Sequence, residues 1–403
     1  MTSGEAMNSY MTSIITACTL FPLVAAVFTM PFVIVHYRKY GGIPVIRVMV
    51  VYSFILYSMC ALFLTVLPLP SINAVEAMKP KPVGLIPGKD LYQTLIDAGF
   101  SFKDLSTFGN FRCWKIMFGS FGFFQIVANI IMQVPLGIYL RYYFRLDWKK
   151  TLLAGFFVSL FYELTQLTGL WFIYPKAYRY AEVDDLINNT LGCMIGYWIT
   201  PLFQMFLPKR DEIDQMSYTK GLYVTLIRRF FACFFDLVFF GIINALFVYF
   251  HQPSFNGKLY NLLWFCVFIL LFGLLPVLCK GSTPGQLLVR LRVKNEDWVK
   301  DATFLQHLLR NTLLYVLETG MVGLSGAFLG FAVYLLAGNA QTPFPRLLVI
   351  LVTVGIPVLF FWWCAHCSRK YHTLPHSHYS RTSLVPIPVS VRIRNRDDRD
   401  ENN

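Results

Sequence analysis

Ser159, Glu163 and Gln166 recur at i, i+4 and i+7 in an otherwise apolar stretch, so on a helix they form one polar stripe. Asp184 and Asp185 open the next apolar stretch, where a helix N-terminus favours negative charge. Arg179 lies five residues upstream of Asp184. Asn188, Asn189, Gly192 and Gly196 continue that segment, and Gln125, Asn129 and Gln133 give a third polar face further upstream. Three such faces can meet in one pocket. A carboxylate cluster of this kind could bind a hard cation, position a cationic or hydrogen-bonding head group, or do acid-base work if burial raised one pKa. Residue types alone do not rank these three. Adjacent carboxylates at a helix start also serve as simple caps. No Ser-His-Asp arrangement, phosphate loop or zinc-binding spacing is present, so no catalytic residue, cofactor or metal is assigned and a conventional enzyme is disfavoured.

The elements that must carry these residues are transmembrane helices. The chain is 56% hydrophobic, and nine stretches reach the roughly 20 apolar residues a span requires: 11–35, 46–69, 116–140, 151–174, 184–207, 223–250, 259–279, 312–337 and 346–367. The expected fold is an all-α, polytopic helical membrane protein. Gly192 and Gly196 form GxxxG, which lets the fifth span approach a neighbour closely.

Nine spans put the termini on opposite sides, and the basic residues choose which. With the N-terminus outside, the cytoplasmic segments are 36–47, 141–150, 208–229, 280–310 and the tail after 368. These hold three, four, five, six and seven Lys or Arg, which is 25 of the 35 in the chain. Six of the rest fall in one long outer loop, 70–115, where the positive-inside rule is weak. An N-out, C-in topology follows. The net charge of +13 is then a cytoplasmic rim facing anionic lipid heads, not a nucleic-acid surface.

The polar run 208–221 separates two groups of spans and reads as a cytoplasmic linker between a five-span domain (1–207) and a four-span domain (222–368). Within loop 70–115, Leu91, Leu95 and Ile96 beside Lys89, Asp90 and Asp97 fit either a short interfacial helix or an ordinary surface loop. The tail 369–403, with His372, His376 and His378 among Ser, Pro and Arg, is expected to be disordered. No disulfide and no cleaved leader is expected, since eight of nine Cys fall in spans or at their cytoplasmic ends and Met1–Tyr10 has no basic residue.

Two further acids lie inside spans, Asp236 and Glu318. Arg229 stands at the cytoplasmic edge of the same helix as Asp236, about 10 Å away at 1.5 Å per residue. Direct pairing is therefore difficult, and Asp236 is expected to meet a group from another segment, for instance near Glu318 or Asn244. It reads either as a clamp that fixes helix packing or as a proton- or cation-linked carboxylate.

On these residues, 45–207 resembles the VanZ-like family: Asn129 with Pro135-Leu136-Gly137, then Ser159, Glu163 and Gln166, then Arg179, Asp184-Asp185, Asn188-Asn189, Gly192 and Gly196. The family's IPF-type outer segment is present only as Ile86-Pro87-Gly88. Residues 222–380 resemble the RDD family of membrane proteins through Arg229, Ala232 and Asp236, then Thr283-Pro284-Gly285-Gln286 with Leu291-Arg292-Val293, then Arg310-Asn311. Gln286 replaces the usual Lys, and Thr373 stands where a closing acid is expected.

The first resemblance implies an accessory role in the cell envelope of Gram-positive bacteria, lowering susceptibility to teicoplanin-type lipoglycopeptides. Its ligand would be a lipid, a lipid-linked cell-wall precursor or the lipoglycopeptide itself. The second implies a small-molecule or ion transporter using Asp236. An intramembrane enzyme acting on a lipid-linked precursor through Glu163 with Asp184 or Asp185 is the third reading.

Overall fold

A computed structural model describes residues 3–79, 83–251, 257–318, 320, 358–359, 362–367, 369–370 and 373–389. The chain divides into two compact units, Met1–Pro31 with Pro44–Gln215, and Phe32–Ile43 with Met216–Asn403.

Among the described residues, five segments are long and apolar enough to cross a membrane: Met11–Tyr40, Val45–Val66, Phe121–Tyr142, Leu226–Tyr249 and Asn261–Leu278. The helices with the polar stripes, α7 (Trp148–Leu167) and α9 (Val183–Gln204), are of similar length but are not among those five. The expected spans 312–337 and 346–367 lie largely outside the described residues. The third expected span, 116–140, is corrected. Ser120 adopts an extended conformation and splits it into α5 (Phe111–Gly119) and α6 (Phe121–Tyr142), its hydroxyl capping Phe123 N.

In the first unit α2 (Val45–Val66), α6, α7 and α9 make the helical body. The α6–α9 contact is set by glycine. A Cβ on Gly192 would stand 2.0 Å from Ile130 O, one on Gly196 2.0 Å from Val134 O, and one on Gly137 1.9 Å from Cys193 O. Only missing side chains allow the two backbones to meet this closely. The loop between α2 and α6 carries α3 (Ile72–Ala77), strand β1 (Val83–Gly84), α4 (Lys89–Asp97) and α5. The segment at Leu91–Ile96 is thus helical. After α7 the single turn α8 (Gly169–Phe172) has left-handed backbone at Leu170, Trp171 and Phe172, and ends that helix. Strand β2 (Ala181–Glu182) then pairs in parallel with β1, Gly84 opposite Glu182, which ties the outer loop to the start of α9.

The segment expected as a linker is largely the helix α10 (Arg210–Gly221). The second unit is built on α11 (Leu226–His251), α12 (Gly257–Ile269), a π-helical turn at Leu270–Leu274, α13 (Leu275–Leu278) and α14 (Pro284–Leu288). Strand β3 (Leu291–Asn295), α15 (Phe304–Thr312) and a second π-helical turn at Leu313–Glu318 follow. The two π-helical turns pack together: the rings of Phe272 and Tyr315 are 4.4 Å apart, and Asn311 Nδ2 donates to Phe272 O at 2.7 Å.

The tail expected to be disordered is ordered over much of its length. A short helix, Pro375–Tyr379, leads into β4 (Thr382–Pro386), which pairs antiparallel with β3 from Leu291↔Pro386 to Asn295↔Thr382. Its low apolar content misled because the ladder satisfies the backbone, while Leu291, Val293 and Val385 supply the buried contacts. Residues 390–403 lie outside the described residues.

Candidate functional site

A cavity of about 860 Å³ opens in the first unit among the end of α2, α4, the start of α6 and the segment 178–185. Its polar lining includes Asp90, Gln166, Arg179, Glu182 and Asp185; Pro68, Leu69, Phe121 and Ile126 are among the apolar residues.

The C-terminus of α2 organises one side. The last carbonyls of a helix have no partner within it and must be met from elsewhere. Arg179 donates to Leu64 O at 3.3 Å, to Thr65 O at 2.9 Å and to Leu67 O, while Tyr178 Oη donates to Val66 O at 2.6 Å. Gln166 Nε2 adds a bond to Thr65 O at 3.1 Å. A cation there also suits the negative end of the helix dipole. Arg179 and Gln166 thus fix the α2 terminus while their remaining surface faces the cavity.

The carboxylates organise the other side. Asp184 is buried and spends both oxygens on backbone donors, Gly88 N at 2.5 Å and Asp90 N at 2.8 Å. It caps the start of α4 rather than its own helix. Glu163, also buried, accepts from Glu182 N at 3.0 Å. Asn129 Nδ2 donates to Asp185 Oδ1. These bonds fix the backbone at Asp90 and Glu182 and the carboxylate of Asp185, and carboxylate oxygens of Asp90, Glu182 and Asp185 lie within 4.8 Å of one another. Burial, Asp90 and the neighbouring acids push the Glu182 carboxyl up to about 7.

Of the residues singled out in the sequence for the polar faces, Gln125, Gln166, Arg179 and Asp185 line the cavity. Glu163, Asn129 and Asp184 stand behind it, each bonded to a lining residue or to the helix that presents one. Ser159, Asn188 and Asn189 are not in the lining. Ser159 and Asn189 are buried within the helices, and no hydrogen bond reaches Ser159 Oγ or Asn189 Oδ1 among the described residues. The sequence reading missed Glu182 and assigned no site role to Asp90. The β1–β2 pairing that joins them spans about a hundred residues and left no local signal.

In the second unit Asp236 is the centre. It is buried, and its carboxylate accepts from Thr283 Oγ1 at 2.6 Å, Gly285 N at 2.7 Å and Tyr315 Oη at 2.6 Å. The expectation of a partner near Asn244 is corrected: Asn244 Nδ2 donates to Phe240 O within its own helix. The side chain of Glu318 lies outside the described residues. Gly285 is required by contact, since a Cβ there would stand 2.1 Å from Ala232 O. Pro284 begins α14 where no N–H is needed. Gln286 closes a capping box with Thr283, its Oε1 accepting from Thr283 N at 3.1 Å. A lysine could not accept that bond. Arg229 is half-buried, whereas its neighbour Arg228 is buried and donates to the carbonyls of Gly221, Tyr223, Val289 and Arg290. The sequence pattern marked Arg229; only the packing distinguishes Arg228.

The fold and these two centres define an integral membrane protein of two helical units. The family model described as VanZ/LLP1 matches residues 54–204, and that of the RDD family matches residues 223–370. The chain is a VanZ-like domain fused to an RDD domain. No curated protein and no solved structure matches it.

Proposed function

We propose that the VanZ-like domain binds a lipid or lipid-linked head group of the bacterial cell envelope in its cavity, and thereby lowers the susceptibility of a Gram-positive host to teicoplanin-type lipoglycopeptides. The observation that carries this reading is the mixed lining: Pro68, Leu69, Phe121 and Ile126 share one cavity with Asp90, Arg179, Glu182 and Asp185. An apolar chain against the first set leaves a polar head against the second, the division an amphiphile requires. The excess of Lys and Arg in the other segments supports an opening on the outer face. The role is one of binding; a lipid-linked cell-wall precursor and the lipoglycopeptide itself are the two ligands this chemistry accommodates.

Teicoplanin susceptibility of a Gram-positive host carrying no copy, the wild-type chain or Asp185→Asn at matched membrane levels tests the reading. A protective wild type and an inactive variant are expected. A wild type no better than the empty host overturns it.

For the RDD domain, the three donors on Asp236 support a clamp that joins α11, α14 and the second π-helical turn, in preference to a transported-ion site. Flux in vesicles that depends on pH and is abolished by Asp236→Asn at wild-type stability would reverse that preference.

A further inference from the structure

The helix α15 (Phe304–Thr312) is built inside out. His307, Arg310 and Asn311, at i, i+3 and i+4, share one face, and none of them is more than 1% exposed. Leu305 and Leu309, also four apart, hold the opposite face and are 72% and 47% exposed. Leu308, on the boundary, packs against the cluster around Phe272. A helix on a surface bathed in water turns its apolar stripe inward and its polar residues out. Here the polar face is the one bound within the unit: Arg310 donates to Ser377 Oγ at 3.0 Å, and Asn311 Nδ2 to Phe272 O at 2.7 Å.

The level at which α15 packs is a second, independent observation. Phe304, its first residue, lies against Gly273, where an added Cβ would stand 2.8 Å from the Phe304 ring, and Asn311, near its end, reaches Phe272. Both ends thus meet one level of the membrane-spanning segment Asn261–Leu278, so α15 crosses that segment and does not run along it. Phe272 and Gly273 precede Leu278 by six and five residues, about 7–9 Å at 1.5 Å per residue. Lys280 is the first charge beyond. An amphipathic helix in the membrane plane sits about 5–10 Å into the boundary between head groups and acyl chains, which is the same depth. The capping box of Thr303 with Gln306 satisfies donors at the start of α15, and its last turn runs on into the π-helical turn Leu313–Glu318, so few backbone groups require water.

We propose that α15 lies in the plane of the cytoplasmic leaflet, with Leu305 and Leu309 packed against the acyl chains of phospholipids. The leaflet is the cytoplasmic one because Leu278 leads into the segment 280–310, one of those rich in Lys and Arg. That segment then leaves the cytoplasm at the start of α15. Acyl chains are the occupant because the leucine face continues the surface of a span at a depth where the bilayer is the solvent. The helix so placed is a partition: lipid covers one side, and on the other His307, Arg310 and Asn311 are kept out of hydrocarbon, where polar groups are costly. The inference is independent of the cavity in the first unit.

The test is photo-cross-linking of the full-length wild-type protein in liposomes of phosphatidylcholine and phosphatidylglycerol, a small part of the phosphatidylcholine carrying a diazirine on its acyl chain. Trypsin releases most of α15 as the peptide 301–310, between Lys300 and Arg310, so mass spectrometry reads its adducts directly. Peptide 116–141, which carries α6, is the positive control, and peptide 211–220, from the polar helix α10, is the negative one. Adducts centred on Leu305 and Leu309 are expected, at a yield at least about tenfold above that of 211–220. A yield on 301–310 no higher than on 211–220, with 116–141 labelled, overturns the proposal. A protein partner or a second copy seated on the leucine face would give that outcome. Adducts on His307 or Arg310 in place of the leucines overturn it as well, since the polar face would then be the one in lipid.

Discussion

Asp184 holds Asp90 by its backbone: the carboxylate that opens α9 accepts from Asp90 N at 2.8 Å and from Gly88 N at 2.5 Å, so the first turn of α4 hangs on a residue nearly a hundred positions away. Hydrogen bonds to a charged acceptor are worth roughly 1.5–3 kcal/mol each. Asp184→Ala is expected to free the start of α4 and to speed amide exchange across residues 88–92, with the helical body unaffected. Unchanged protection there would show that the outer loop is held by something else.

The α6–α9 contact makes a sharper prediction. A methyl group on Gly196 would lie 2.0 Å from Val134 O and could be accommodated only by pushing the helices apart. Gly196→Ala should destabilise the VanZ-like domain by at least about 1–3 kcal/mol, the range for overpacked cores. Thermal unfolding in detergent reads this directly. Gly119→Ala, which would meet nothing within 4 Å, is the matched control and should change little.

Removing Asp236 abandons three donors in a buried place. Each unsatisfied donor costs roughly 1–3 kcal/mol, so Asp236→Ala should leave little folded RDD domain. Tyr315→Phe removes one donor and keeps the ring against Phe272, and should cost only about 1–3 kcal/mol. Equal stability of the two variants would mean that the carboxylate is not the shared acceptor.

His307 is fully buried on α15, and neither ring nitrogen has a hydrogen-bond partner among the described residues. Burial pushes its pKa down from 6.5 to about 4, helped by Arg310 and opposed by Asp301. The sign follows from linkage: between pH 6.5 and about 4 the unfolded chain holds a proton here that the folded chain does not, so stability falls as pH falls through that window. Melting temperature should drop on acidification from pH 7 to 5, and His307→Leu should flatten the drop. Parallel curves for the two proteins would exclude His307 as the source.

The class of fold was legible because bilayer spans and basic rims are composition, visible without any tertiary contact. The stripe Ser159, Glu163, Gln166 was legible for the same reason, being a helical period. What those residues touch was not. Glu163 acts through Glu182, and Asp185 meets Asp90, through a two-residue strand pairing that no periodicity announces. Similarly Arg228 and Arg229 are adjacent and chemically equal, and only the carbonyls at Val289 and Arg290 tell which of them is the clamp. The ordered tail was hidden because β4 needs a partner strand some ninety residues upstream before its alternation means anything.

That last pairing has a consequence for synthesis. β3 is made about midway through its domain and lacks this partner until Thr382–Pro386 arrives some ninety residues later. A product broken off anywhere in that interval keeps an unpaired strand, a template for pairing with other chains and for aggregation. Completion of the RDD domain is therefore registered by a few residues near its end, and an appended tag is tolerated only if it leaves those residues free to fold back.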